Sequence, residues 1–325
     1  IDQRVLLDFT PIIYTSNKVL AHHKKMLDLN EFNYQSVKSA KEARDRKVNV
    51  VNISEDDITF DLGKPTEVGG RIAFNSLEAA TQDLASGKID VLVTAPISKE
   101  AMGKSGFEFP GHTEYLANLS SKSEALMIMV SGELRVALVT IHVPIKEVPG
   151  LLTVERIYGK IKELELSLKK DFGVIKPKIA VFGLNPHAGE NGKMGTEEAE
   201  VIIPAIKKAF DEGIMAFGPY PADGFIGSPI RNQFDGILAM YHDQGLSGFK
   251  ALAFDDGVNF TAGLPIVRTS PDHGTAYDIV GKNIASPTSM LNAIYVAVDV
   301  FRKNQAYKEM NANPLPITQK GNPDV

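Results

Sequence analysis

Phe234-Asp235-Gly236-Ile237-Leu238-Ala239-Met240-Tyr241-His242-Asp243-Gln244-Gly245 sets an apolar run directly against a histidine, an aspartate and a glycine. Residues 234–241 read as a buried strand that delivers His242 to its end. In open α/β sheets, strand ends are where ligands bind. His242 is a candidate metal ligand, with Asp243 beside it to orient the ring or balance charge. Further along, Lys250 and Arg268 are cations and Asn259 is a neutral donor. That set suits a phosphate or a carboxylate. The plain alternative is a polar strand end with solvated charges.

The same alternation runs outward in both directions. Residues 10–14, 48–53, 89–94 and 178–184 have the β-branched or apolar character of strands. Residues 16–27, 71–87, 114–119, Val154–Lys170, 275–280 and 287–302 have helical periodicity, and Thr196 caps another helix over 197–212. A helix also follows Ala95-Pro96-Ile97-Ser98-Lys99. Residues 125–130 and 134–140 flank Ser131-Gly132-Glu133 as a hairpin whose second arm delivers His142. Residues 54–70 form an acidic, turn-rich excursion, and a polar tail follows residue 302. Strands alternating with helices predict an α/β protein with a mainly parallel sheet.

At 325 residues, 43% hydrophobic and 23% charged, the chain has the composition of a soluble globular protein with room for two domains. A net charge of −5 gives no basic footprint, so nucleic acid is not the expected partner. The sequence has no cysteine, which excludes disulfides, thiolate metal sites and a cysteine nucleophile. That fits a cytoplasmic setting, and no apolar run is long enough to cross a bilayer.

Seven histidines are present. His22 and His23 lie in a polar helical stretch and read as solvated. His112, His142, His187 and His242 each follow an apolar run or a Gly/Pro turn. Three imidazoles with an open coordination position make a catalytic divalent-metal site. Their spacing is too wide for a local motif, so only the fold can assemble them; satisfied core or loop histidines are the competing reading. Gly103-Lys104-Ser105 and Gly192-Lys193-Met194 are not phosphate loops, and no Gly-x-Gly-x-x-Gly follows a strand.

Four longer motifs point further: Pro110-Gly111-His112-Thr113-Glu114, Asn185-Pro186-His187-Ala188-Gly189-Glu190, Gly218-Pro219-Tyr220-Pro221-Ala222-Asp223 and Tyr241-His242-Asp243-Gln244-Gly245. Together they resemble the 4-hydroxythreonine-4-phosphate dehydrogenase family of pyridoxal phosphate biosynthesis, over residues 12–300. Residues 270–282 are also similar to the cofactor loop of isopropylmalate and isocitrate dehydrogenases. The family opens with a strand and a Gly/Pro-rich loop that have no counterpart here, which bears on cofactor binding and the first sheet position.

The resemblance implies two α/β/α lobes with an active-site cleft between them, as in isocitrate and isopropylmalate dehydrogenases. Lobe one would be residues 1–98 and 266–325 with the cofactor loop; lobe two, 99–265, would carry the metal ligands and the dimer interface. His142, His187 and His242 match the family's metal ligands, in a site shared across a homodimer. His112, Thr113, Lys250, Asn259 and Arg268 match the positions that grip the phosphorylated substrate. His273, Gly274 and Asp278 would lie by the NAD. Asp223 and Asp243 are candidates for the base that takes the hydroxyl proton, against surface or supporting roles for each. The implied activity is NAD-dependent oxidation and decarboxylation of 4-phosphohydroxy-L-threonine to 3-amino-2-oxopropyl phosphate, with one Zn²⁺, Co²⁺, Mn²⁺ or Mg²⁺ per site. The competing readings are a dehydrogenase of threonate or erythronate 4-phosphate, or a phosphate acyltransferase of related fold.

Overall fold

The computed structural model describes residues 3–55, 58–59, 61–120 and 125–313. β1 (Ile12–Thr15), helix α1 (Asn17–Met26), β2 (Gln35–Val37) and β3 (Asn49–Asn52) build a small parallel sheet in the order β1-β3-β2. Ser16 caps α1 by accepting the Lys18 N–H. Helix α2 (Glu67–Ala85) starts earlier than its apolar periodicity suggests, because Thr66 accepts the Gly69 N–H and sets the start.

The rest of the chain forms β4 (Leu92–Val93), α3 (Lys99–Gly103), α4 (His112–Leu119), β5 (Leu126–Ser131), β6 (Leu134–Leu138), α5 (Val148–Leu151), α6 (Val154–Lys170), β7 (Lys178–Phe182), α7 (Ile203–Asp211), β8 (Met215–Tyr220), α8 (Ala222–Ile226), β9 (Gly236–Ala239), α9 (His242–Ala253), β10 (Val258–Ala262), β11 (Arg268–Pro271) and α10 (Thr288–Asn311). Eight of these strands make one sheet, ordered β4-β11-β10-β5-β6-β9-β7-β8.

The α/β class holds and parallel pairs are the majority, β4 with β11 among them, but an antiparallel seam runs through the large sheet. β6, β9, β7 and β8 run parallel, whereas β5 is antiparallel to both β6 and β10, and β10 to β11. The cause is local. Ser131 pairs with Leu134 across a two-residue turn, and residues 263–267 are too few for a crossover helix, so both links force antiparallel neighbours.

Helices cover both faces of this sheet. On one face, Ile157, Ile161, Leu164 and Leu168 of α6 lie along a single stripe and pack with α7 and with Ala293, Ala297 and Val300 of α10. Each of the isoleucine, leucine and valine side chains contributes about 1.5–3 kcal/mol by leaving water. On the other face, Leu246, Phe249 and Ala253 of α9 meet Met127, Met129, Val136 and Leu138.

Three expected helices differ in detail. Residues 275–280 give only a 3-10 turn, Tyr277–Ile279, because Ala276 before it is left-handed at φ 52°. The helix expected over 197–212 opens as a π turn, Glu198–Ile202, with no side-chain cap from Thr196. Pro204 lacks an N–H and its ring would crowd the carbonyl one turn back, so the widened turn relieves that conflict. The last helix continues to Asn311; residues 314–325 of the expected tail lie outside the described residues.

Candidate active site

β6, β9 and β7 lie side by side and parallel, so their C-terminal ends open on one edge. His142 follows β6, His242 opens α9 after β9, and His187 follows β7. Two side chains fasten these ends together. The Thr140 hydroxyl donates to the Met240 carbonyl at 2.8 Å. Gln244 accepts the Met240 N–H at 2.7 Å and donates to the Gly183 carbonyl at 2.6 Å, tying β9 to β7. The glutamine of the Tyr-His-Asp-Gln-Gly motif is therefore a brace for the strand ends.

The His142 and His242 rings face each other with centroids 6.0 Å apart. Each has a carboxylate at Nδ1: Glu114 Oε1 at 3.5 Å from His142, and Asp243 Oδ1 at 2.7 Å from His242. The His142 imidazole, acting against burial, holds the Glu114 carboxyl below its ordinary range. A carboxylate on one ring nitrogen, leaving Nε2 for a ligand, is how metal-binding histidines are oriented. The pair fits a divalent cation in donor chemistry. Among the described residues, however, no three His, Asp or Glu side chains stand close enough to hold an ion. The structure brings His142 and His242 together and leaves His187 outside that pair.

His187 sits on an unusual segment. His187, Ala188, Gly189, Glu190 and Asn191 are all left-handed, with φ of 54°, 50°, 80°, 42° and 55°. Left-handed conformation costs a non-glycine residue roughly 1–2 kcal/mol. The His187 side chain is exposed at this turn.

The anion side is built from β4, β10, β11 and α4. Arg268 is buried, at 2% exposure. Its Nε and Nη2 donate to Thr94 Oγ1 at 3.1 and 2.6 Å, and Nη1 donates to Thr261 Oγ1 at 3.1 Å. Burial lowers the guanidinium pKa to about 10, with Glu114 opposing; it stays a cation at neutral pH. His112, in the first turn of α4, has its pKa pushed down to about 3 by burial and then by Arg268, with Glu114 opposing, so it is neutral. Thr113 follows it in that turn. Asn259 and Thr261 alternate with the core residues Val258 and Phe260, so they share the sheet face covered by α9. The buried Asn259 Oδ1 has no hydrogen-bond partner.

Lys250 reaches from α9 to Asp272 Oδ1 at 3.3 Å. Burial raises the Asp272 pKa, opposed by Lys250, His242 and His273, and its Oδ2 is buried without a partner. His273, Gly274 and Asp278 are exposed in the loop after β11, where His273 Nδ1 lies 3.0 Å from the Gly274 carbonyl oxygen. Asp223 is exposed at the start of α8.

A family model described as pyridoxal phosphate biosynthetic protein PdxA matches residues 8–297. The chain belongs to this family. A 4-hydroxythreonine-4-phosphate dehydrogenase of Bacteroides thetaiotaomicron is 52% identical over 307 residues, covering 94% of this chain and 84% of that protein. One of Sulfurihydrogenibium sp. is 42% identical, covering 88% of each. The crystal structure of the Klebsiella pneumoniae 4-hydroxythreonine-4-phosphate dehydrogenase superposes with a TM-score of 0.77 at 34% identity, covering 89% of this chain and 88% of that one.

Family membership does not reveal the groups that sequence reading passed over. Thr94 and Thr261 hold Arg268, Glu114 holds His142, and Asp272 holds Lys250. Glu114 had a local signal, since it closes the Pro-Gly-His-Thr-Glu motif in the first turn of a helix. Thr94 had none, because its partner lies 174 residues away. Among the described residues, no helix is long and apolar enough to cross a membrane.

Proposed function

We propose that this chain is a cytoplasmic, NAD-dependent dehydrogenase that oxidises and decarboxylates 4-phosphohydroxy-L-threonine to 3-amino-2-oxopropyl phosphate. The observation that carries this reading is Arg268: a buried guanidinium whose hydrogen bonds go to threonine hydroxyls, which leaves its charge for an anionic group of the ligand. With neutral His112, Thr113, Asn259 and Lys250 it would grip the phosphate. Binding energy from that remote group positions the carbon that reacts.

His142, His187 and His242 would hold one divalent ion, Zn²⁺, Co²⁺, Mn²⁺ or Mg²⁺. When bound, the ion supplies charge that lowers the pKa of the substrate hydroxyl. Since His142 and His242 pair within one chain, we take His187 of a second copy to complete the set in an isologous homodimer. The lobe formed by 1–98 and 266–325 would present NAD through His273, Gly274 and Asp278, and the lobe 99–265 would carry the dimer interface.

Asp243, engaged with His242, orients that ring, and Asp223 is left as the base for the hydroxyl proton. When bound, NAD would supply the acceptor for the C3 hydride, and the Asp223 carboxylate would take the hydroxyl proton, giving a β-keto acid. The C1–C2 bond then breaks, CO₂ leaves, and the electron pair passes into the enolate until C2 is protonated. The test is NADH formation with a panel of four-carbon phosphorylated acids. Preference for a substrate lacking the amino group would move the assignment to a threonate- or erythronate-type enzyme.

A further inference from the structure

Glu198 is a carboxylate buried to 4% exposure at the start of the π turn, and the reaction chemistry has no use for it. Its oxygens are fully engaged. Oε1 accepts the N–H of Leu184 at 2.8 Å and of Asn185 at 2.7 Å. Oε2 accepts Asn185 Nδ2 at 3.0 Å, and the same amide donates to Glu197 Oε2 at 2.7 Å. Two glycines make the space. A Cβ at Gly189 would stand 2.6 Å from Glu198 Oε2, and one at Gly195 only 2.4 Å from Asn185 Nδ2.

The left-handed run 187–191 emerges directly from this clamp. The Ala188 N–H donates to the Asn185 carbonyl at 3.1 Å, and the Met194 N–H to the Gly189 carbonyl at 3.1 Å. Four of the five residues are not glycine, so local energetics oppose the conformation. Such a run persists only where its surroundings over-determine it. Asn185 is both the residue that Glu198 fixes, through backbone and side chain, and the residue that anchors the run.

We propose that Glu198 is the positioning residue for His187: by fixing Asn185 it holds the left-handed turn and so sets where the His187 imidazole stands. The inference rests on the reading of His187 as a ligand of the divalent ion. The clamp lies behind the turn, so its loss should move the imidazole without touching the Arg268 region.

The test is isothermal titration of Co²⁺, and separately of inorganic phosphate, into the full-length assembled protein, with hydrogen exchange at the Leu184 and Asn185 amides. Glu198→Ala should weaken Co²⁺ binding by about 10–100-fold, the usual scale for removing a group that orients a ligand. It should also speed exchange at both amides and leave phosphate affinity unchanged. Glu198→Gln keeps an oxygen for both N–H groups and should restore most of the Co²⁺ affinity. If Glu198→Ala does not fold, Asn185→Ala, which removes the side-chain half of the clamp, carries the same test. His187→Ala separates the two ideas. If it leaves Co²⁺ affinity intact, the ligand reading fails and the inference with it. If it weakens Co²⁺ binding while Glu198→Ala and Asn185→Ala do not, the inference alone is overturned. Equal loss of Co²⁺ and phosphate binding in Glu198→Ala would make Glu198 a general structural group and also overturn it.

Discussion

Replacing Arg268 by methionine should separate stability from function. The guanidinium is buried, and burial lowers its pKa from the ordinary arginine value to about 10. At about 1.4 kcal/mol per pH unit, the charged form costs the empty fold about 3 kcal/mol. Methionine removes that cost and keeps much of the apolar stem. It also strips the Thr94 and Thr261 hydroxyls of their donors, a penalty of about 1 kcal/mol each. Urea unfolding of Arg268→Met should therefore give a stability equal to the parent or up to about 2 kcal/mol above it. Activity should move the other way. Losing charge-assisted bonds to a phosphate should lower kcat/KM for the phosphorylated substrate by about 3–4 kcal/mol, or 10²–10³-fold. A non-phosphorylated analogue should be a poor substrate for both proteins and indifferent to the change, and NAD affinity should not move. A stability loss above about 2 kcal/mol would show Arg268 to be a structural strut. Equal kinetic losses on both substrates, or none on either, would remove it from the phosphate grip.

Three further outcomes follow from the same geometry. His112 is neutral when folded, with its pKa at about 3, but takes a proton in the unfolded chain below 6.5; the unfolded state then binds more protons, so stability falls as pH drops from 6.5. Urea titrations at pH 6.5 and 5 should show a loss of about 1 kcal/mol, after discounting for partial exposure, that His112→Asn abolishes. Mixing inactive His142→Ala with inactive His187→Ala should restore activity in about one quarter of the sites if those ligands come from different chains, whereas no restoration would keep them in one chain. Saturation with Co²⁺ at 100 times its dissociation constant should raise unfolding stability by about 2.7 kcal/mol, an increment that His187→Ala should lack.

How much was legible in the sequence differs by element. Val154–Lys170 is legible to the residue because its apolar stripe is local, and the structure adds a Thr153 cap at its start. The hairpin about Gly132 was equally plain, but its consequence, an antiparallel seam through the large sheet, needed the pairing of β5 with β10. His142 and His242 were placed at neighbouring strand ends as the apolar runs suggested. Their carboxylate partners differ in legibility: Asp243 is adjacent in sequence, while Glu114 arrives from another helix. The left-handed turn at His187 was invisible. No propensity favours five such residues in a row, and the clamp that holds them is assembled from segments 13 residues apart. Asp272 likewise reads as part of a cofactor loop, and only the fold, which brings it beside α9, shows it holding Lys250.

NADH and CO₂, the two products that report on the reaction, can be followed together in one cuvette. Purified protein with NAD and Co²⁺ should convert 4-phosphohydroxy-L-threonine to NADH and CO₂ in equal amounts, and the chelator-treated protein should do neither. NADH without CO₂, or turnover of threonate 4-phosphate in preference to the aminated substrate, would show that the protein catalyses a different reaction.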